Sequence, residues 1–175
     1  YKQLLALIST SFLDGEDCHA PVISVEALAE RNAGLLCLTG GADGLIGKAL
    51  YQQRQGEAEH CLAVLKDMFA DRLYIELERH GREEEKAVEQ RLIDLAYTQD
   101  VPLVATNNVV FAERSMFEAQ DALMCIAEGR YISEMDRPRY TEEHYFKSPQ
   151  EMMELFADIP EAVANTVVIA QRCAY

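Results

Sequence analysis

The sequence predicts an α/β fold, a small parallel sheet flanked by helices, on three observations. Short apolar runs at 34–38, 72–77 and 101–105 have the length of buried strands. Amphipathic helical spacing follows each run, the alternation expected of βα units. Polar turns stand where the strands end: Thr39-Gly40-Gly41, His80-Gly81 and Thr106-Asn107-Asn108. Proteins of this class hold ligands at the carboxyl ends of parallel strands.

Leu4, Leu5, Leu7 and Ile8 share one helical face, which the turn Asp14-Gly15-Glu16-Asp17 ends. Ser24 before Glu26, Leu28 and Ala29 reads as a serine-capped helix. After the first strand, helices are expected from Leu45 to Tyr51 and from Glu57 to Phe69, the latter with Cys61, Leu62, Leu65, Met68 and Phe69 inward. The run 72–77 is the second strand. Glu83-Glu84-Glu85 then opens a helix at its positive dipole end, with Val88, Leu92, Leu95 and Ala96 as the apolar stripe. Pro102 sits at a tolerated position near the start of the third strand. A helix from Ser115 to Glu128 stops at Gly129, and 135–145 is an ordered excursion with little regular structure. Ser148-Pro149-Gln150-Glu151 combines a serine cap, proline at the first helical position and a glutamate that closes a capping box. A last helix begins near Asp158-Ile159-Pro160-Glu161 and runs to Arg172.

A chain of 175 residues suffices for one hydrophobic core. Acidic residues outnumber lysine plus arginine by 30 to 16, and a formal charge of −14 opposes nonspecific duplex binding, which needs clustered cations. Cys18, Cys37, Cys61, Cys125 and Cys173 are odd in number and lack a CxxC spacing, which fits a reducing compartment. No apolar run reaches the length of a membrane helix. The chain opens at Tyr1 within one helical pattern and closes at Tyr175 after another, so both ends read as cut from a longer protein.

Few residues offer reactive chemistry. Strand alternation puts Glu76 and Glu78 on one face, with His80 beyond the strand end, and Glu76 and His80 are the candidate metal ligands. The structural alternative has Glu78 and Arg79 in solvent and Glu76 paired with an arginine such as Arg114. Thr106, Asn107 and Asn108 suit loop capping, since an amide supplies neither charge nor a general base. Thr39-Gly40-Gly41-Ala42-Asp43-Gly44 lacks either glycine-rich phosphate pattern and reads as a tight turn. His19 and His60 have no evident partners.

Four segments carry a resemblance over essentially the whole chain. They are Leu38-Thr39-Gly40-Gly41, the run Tyr74-Ile75-Glu76-Leu77-Glu78-Arg79-His80-Gly81, Val104-Ala105-Thr106-Asn107-Asn108, and the stretch from Met153 to Ala162 continued by Asn165-Thr166 and 169–173. Together they resemble the PHP (polymerase and histidinol phosphatase) domain of bacterial DNA polymerase III alpha subunits, the C-family replicative polymerases. The resemblance implies a partial, N-terminally truncated (β/α)7 barrel over 1–147 and a helical junction over 148–175 leading toward a polymerase core. Active relatives bind a metal cluster at the barrel mouth. In their pattern a glutamate falls at Glu76 and a histidine at His80, whereas Gly41 stands for a cysteine or histidine, Asn108 for an aspartate and Val110 for a histidine.

These five are therefore expected to be vestigial metal-site positions, and none is expected to be catalytic. The resemblance implies a structural segment of a cytoplasmic DNA-directed DNA polymerase, a nucleotidyltransferase of DNA replication. No cofactor is expected within the segment, with Mg²⁺ confined to the polymerase core. The implied partners are the remainder of the alpha subunit and the proofreading exonuclease subunit, with DNA reached through the parent protein. Two alternatives stay open: a metal-dependent phosphoesterase or 3′–5′ exonuclease domain, and an acidic protein-interaction module.

Overall fold

The computed structural model describes residues 1–13 and 21–174; the expected turn at 14–17, Cys18 and His19 lie outside them. Helix α1 (Lys2–Leu13) buries Leu7. Helix α2 (Val25–Arg31) starts at Ser24, whose hydroxyl accepts from the Ala27 N–H at 3.1 Å, the cap the sequence predicts. Strand β1 (Cys37–Leu38) is shorter than the expected 34–38. Gly34 is left-handed, the Leu35 N–H bonds back to Asn32 O, and Leu35 O accepts from Arg72 at 2.8 Å. Those backbone groups are committed to a turn, so the ladder begins two residues later.

A 3-10 turn (Gly41–Asp43) leads into α3 (Leu45–Tyr51) and α4 (Gln55–Phe69), which return the chain to β2 (Leu73–Glu78). Helix α5 (Glu83–Gln99) then crosses to β3 (Leu103–Thr106). The sheet order is β1-β2-β3, all parallel, with Leu38 opposite Tyr74 and Glu76 opposite Val104. Strands and helices alternate as the sequence predicts, and the sheet with its flanking helices is an arc of a (β/α)-type barrel. Helix α6 (Phe117–Glu128) follows, then α7 (Pro149–Leu155) and α8 (Pro160–Arg172). The capping box is present: Ser148 Oγ accepts from the Glu151 N–H, and Glu151 Oε2 accepts from the Ser148 N–H at 2.7 Å.

Alternation divides the faces of β2. Leu73, Ile75 and Leu77 point into one core with Leu50, Leu62, Val88, Leu92, Phe156 and Ala162, so helices α3, α4, α5 and α8 cover that face. Fully burying each such side chain is worth about 1.5–3 kcal/mol. The opposite face carries Glu76 and Glu78 to the carboxyl end of the sheet.

The segment 129–148 has only a 3-10 turn (Glu142–His144) and is held by polar contacts. Among them Arg137 grips Asp121 of α6 through two hydrogen bonds, at 2.5 and 2.6 Å. No described helix is long and apolar enough to cross a membrane.

A candidate metal centre at the carboxyl end of the sheet

The turn after β1 shapes the floor of the site. Gly40 and Gly41 both have positive φ, and a Cβ on Gly41 would lie 2.9 Å from Glu78 Oε2. Glycine here leaves the Glu78 carboxylate its space. Thr39 ties β1 to β2 twice: its N–H bonds Tyr74 O, and its hydroxyl accepts from the Glu76 N–H at 3.0 Å.

Glu76 is occupied structurally. Its Oε2 accepts from the Gly40 N–H at 2.9 Å and its Oε1 from the Thr106 hydroxyl at 2.6 Å. It joins the three strands and meets no arginine there, because Arg114 pairs instead with Glu143. Arg79 also departs from the solvent-facing alternative: it bonds Glu89, Asp158 and Leu155 O, and lies over the Phe156 ring.

His80 is fixed on every side. Its N–H donates to Glu85 Oε2 at 2.7 Å, and its carbonyl accepts from the Thr141 hydroxyl at 2.7 Å. Nδ1 faces Glu85 Oε1 at 2.9 Å, while Nε2 faces Asn107 Oδ1 at 3.1 Å. The ring stacks on His144 with centroids 3.9 Å apart. Burial, then the neighbouring His80, pushes the His144 pKa down to about 4, so that ring is neutral near pH 7. Burial raises the Glu85 pKa, but the His80 hydrogen bonds outweigh it and hold the carboxyl below its usual range. Glu78 lacks such support: burial and then the Glu76 charge raise it to about 7. Burial, then Glu76, also pushes the Cys37 thiol up to about 11, leaving it unreactive at neutral pH.

Glu78, His80 and Glu85 each offer a ligand atom, and these atoms lie within 4.8 Å of one another. This grouping corrects the expectation that the segment carries no cofactor site. The sequence exposes Glu78 and His80 through strand alternation, but Glu85 reads there only as first-turn charge on α5. The turn at Gly81 and Arg82 folds that first turn back onto the end of β2, bringing Glu85 against His80.

Of the other sequence candidates, Gly41 lies against Glu78, and Asn108 is an exposed residue after β3. The Val110 N–H bonds His144 O at 2.8 Å. Asn107, read from sequence as a loop cap, instead joins His80 to the 142–147 segment: its Nδ2 donates to Tyr145 O at 2.8 Å.

Comparison with known proteins agrees with this geometry. Residues 1–80 match the PHP domain family model. The chain is 43% identical over 175 residues, all of its length, to the DNA polymerase III subunit alpha of Caulobacter vibrioides (strain NA1000 / CB15N). Identity is 43% over 174 residues to the subunit of that name from Vibrio cholerae, and 40% over 174 residues to that of Escherichia coli K12, with 99% of this chain covered in each case. The chain spans 15% of the length of each of these relatives. It is a PHP-domain segment homologous to bacterial DNA polymerase III alpha subunits.

Proposed function

We propose that this chain is a structural segment of a replicative DNA-directed DNA polymerase, and that primer extension is performed by the parent protein outside it. The observation that carries this reading is end-to-end similarity at 43% identity to a protein named DNA polymerase III subunit alpha, of which the chain spans 15%. Residues 1–147 form the partial PHP barrel, and 148–175 lead toward the polymerase core. Gly41, Glu76, His80, Asn108 and Val110 are the remnants of the family's metal-site positions. Four bonds commit Glu76 and His80 to the fold, through Gly40, Thr106, Glu85 and Asn107, which favours a positional role for both.

The parent protein is cytoplasmic and meets DNA through regions other than this one, consistent with the segment's formal charge of −14. Its first partner is the remainder of the alpha subunit, and its second is the proofreading exonuclease. An apolar groove of about 680 Å³ beside β3, lined by Ala105, Phe146, Met152, Met153, Val163 and Val167, offers surface for burial against the former.

The full-length protein, given a primed template, deoxynucleoside triphosphates and a divalent cation, is expected to extend the primer. Absence of extension by a folded, full-length preparation would refute the reading. A second reading, metal-dependent phosphodiester hydrolysis, is favoured by the Glu78, His80 and Glu85 grouping. Cation-dependent nucleotide release from single-stranded DNA that disappears in His80→Ala would establish it.

A further inference from the structure

We infer that Glu78, His80 and Glu85 form a binding site for one Zn²⁺ ion, with His80 ligating through Nδ1 and Asn107 setting its tautomer. The inference goes beyond the structural role above and does not depend on it.

Asn107 is the starting point. Its Nδ2 donates to Tyr145 O at 2.8 Å, which fixes the amide so that Oδ1 faces His80 Nε2 at 3.1 Å. An acceptor at that position requires Nε2 to carry a proton. In the neutral ring the lone pair is therefore on Nδ1, directed at Glu85 Oε1 only 2.9 Å away. Two acceptors at that separation repel unless a cation lies between them. A proton there satisfies His80 and Glu85 and leaves Glu78, whose carboxylate has neither a hydrogen bond nor an ion pair among the described residues.

A divalent ion answers all three groups. The donor atoms already lie within 4.8 Å of one another. Zinc bonds of about 2.0–2.2 Å would draw them to roughly 3.4 Å in a tetrahedron, a shift within reach of two glutamate side chains. Two carboxylates cancel the charge of the ion, so the half-buried site is not left with an unpaired charge. Gly41 supplies the clearance that any Cβ would take from Glu78 Oε2. One imidazole with two carboxylates suits zinc better than magnesium, which prefers oxygen and water. Three protein ligands leave a fourth position open. Asn107 acts as the outer hydrogen-bond partner that metal-bound histidines characteristically have. Glu76 stays outside the set because both its oxygens are engaged by Gly40 and Thr106.

The test is calorimetric titration of chelator-stripped full-length protein with Zn²⁺ near pH 7.5, comparing wild type with variants. Wild type is expected to bind one more equivalent than Glu78→Ala at submicromolar affinity. Asn107→Leu should weaken that equivalent by about 10- to 100-fold, whereas Asn107→Asp, which keeps the acceptor, should retain it. Glu78 is half-buried and packs against a glycine turn, so its truncation leaves the core intact; a melting curve checks this. X-ray absorption of the zinc-loaded wild type supplies a readout without substitution: imidazole nitrogen and carboxylate oxygen around the ion, without sulfur, are expected. Equal stoichiometry in wild type and Glu78→Ala, or sulfur ligation, overturns the site. Neither result bears on whether the parent protein extends primers.

Discussion

Replacing a helix-interior glycine by alanine ordinarily stabilises a protein by about 1 kcal/mol, but Gly47 reverses that sign. A Cβ there would lie 2.2 Å from Gly41 O and 2.6 Å from the Ala42 Cα, because α3 packs directly on the turn that floors the site. Gly47→Ala is expected to cost about 2 kcal/mol or more through overpacking, read as a lower urea midpoint; an unchanged midpoint would contradict that close approach. The Arg137–Asp121 pair makes the same argument with charge. Asp121→Ala should lower the melting temperature more than the double change Asp121→Leu with Arg137→Met, since the single change leaves a buried cation alone. Equal losses would mean the pair is solvated. Such partnerships were not legible in the sequence. Glu76 shows why: its position in a strand is local information, but its choice of Thr106 and Gly40 over Arg114 depends on which strands meet.

Elements were far more legible, because period and caps are local. Ser148-Pro149-Gln150-Glu151 announces α7, and the structure closes both halves of its box. Ser148→Ala should cost about 1 kcal/mol, measured by denaturant unfolding. Glu151 adds a pH signature. The Tyr145 hydroxyl, then the Ser148 N–H and hydroxyl, depress its pKa from 4.5 to about 2. A depressed carboxylate contributes stability fully above its unfolded value and loses it as pH falls through the folded one. The midpoint difference between wild type and Glu151→Gln should therefore be constant above about pH 5 and shrink toward pH 2. A difference that persists at pH 2 would show that the hydrogen bonds do not depend on the charge. Strand β1 was the least legible element, since its start is set by Arg72, 37 residues from Leu35.

For the whole molecule, parallel order and the placement of Glu78 and His80 followed from alternation along the chain. The third ligand did not, because Glu85 reaches His80 only through the turn between β2 and α5, and the Asn107–Tyr145 lock spans 38 residues. What the sequence displayed was which strand ends face the site; what it concealed was how helices and loops close around them. The central claim, that this chain serves as the PHP segment of a replicative polymerase, is tested most directly by exchange. The aligned 15% of the Caulobacter vibrioides relative would be replaced by residues 1–175, and primer extension measured on the purified chimera. The account predicts a folded protein whose extension rate lies within about threefold of the parent relative, a change of less than 1 kcal/mol in the barrier. A chimera that folds with the parent's melting profile yet extends no primer would contradict it.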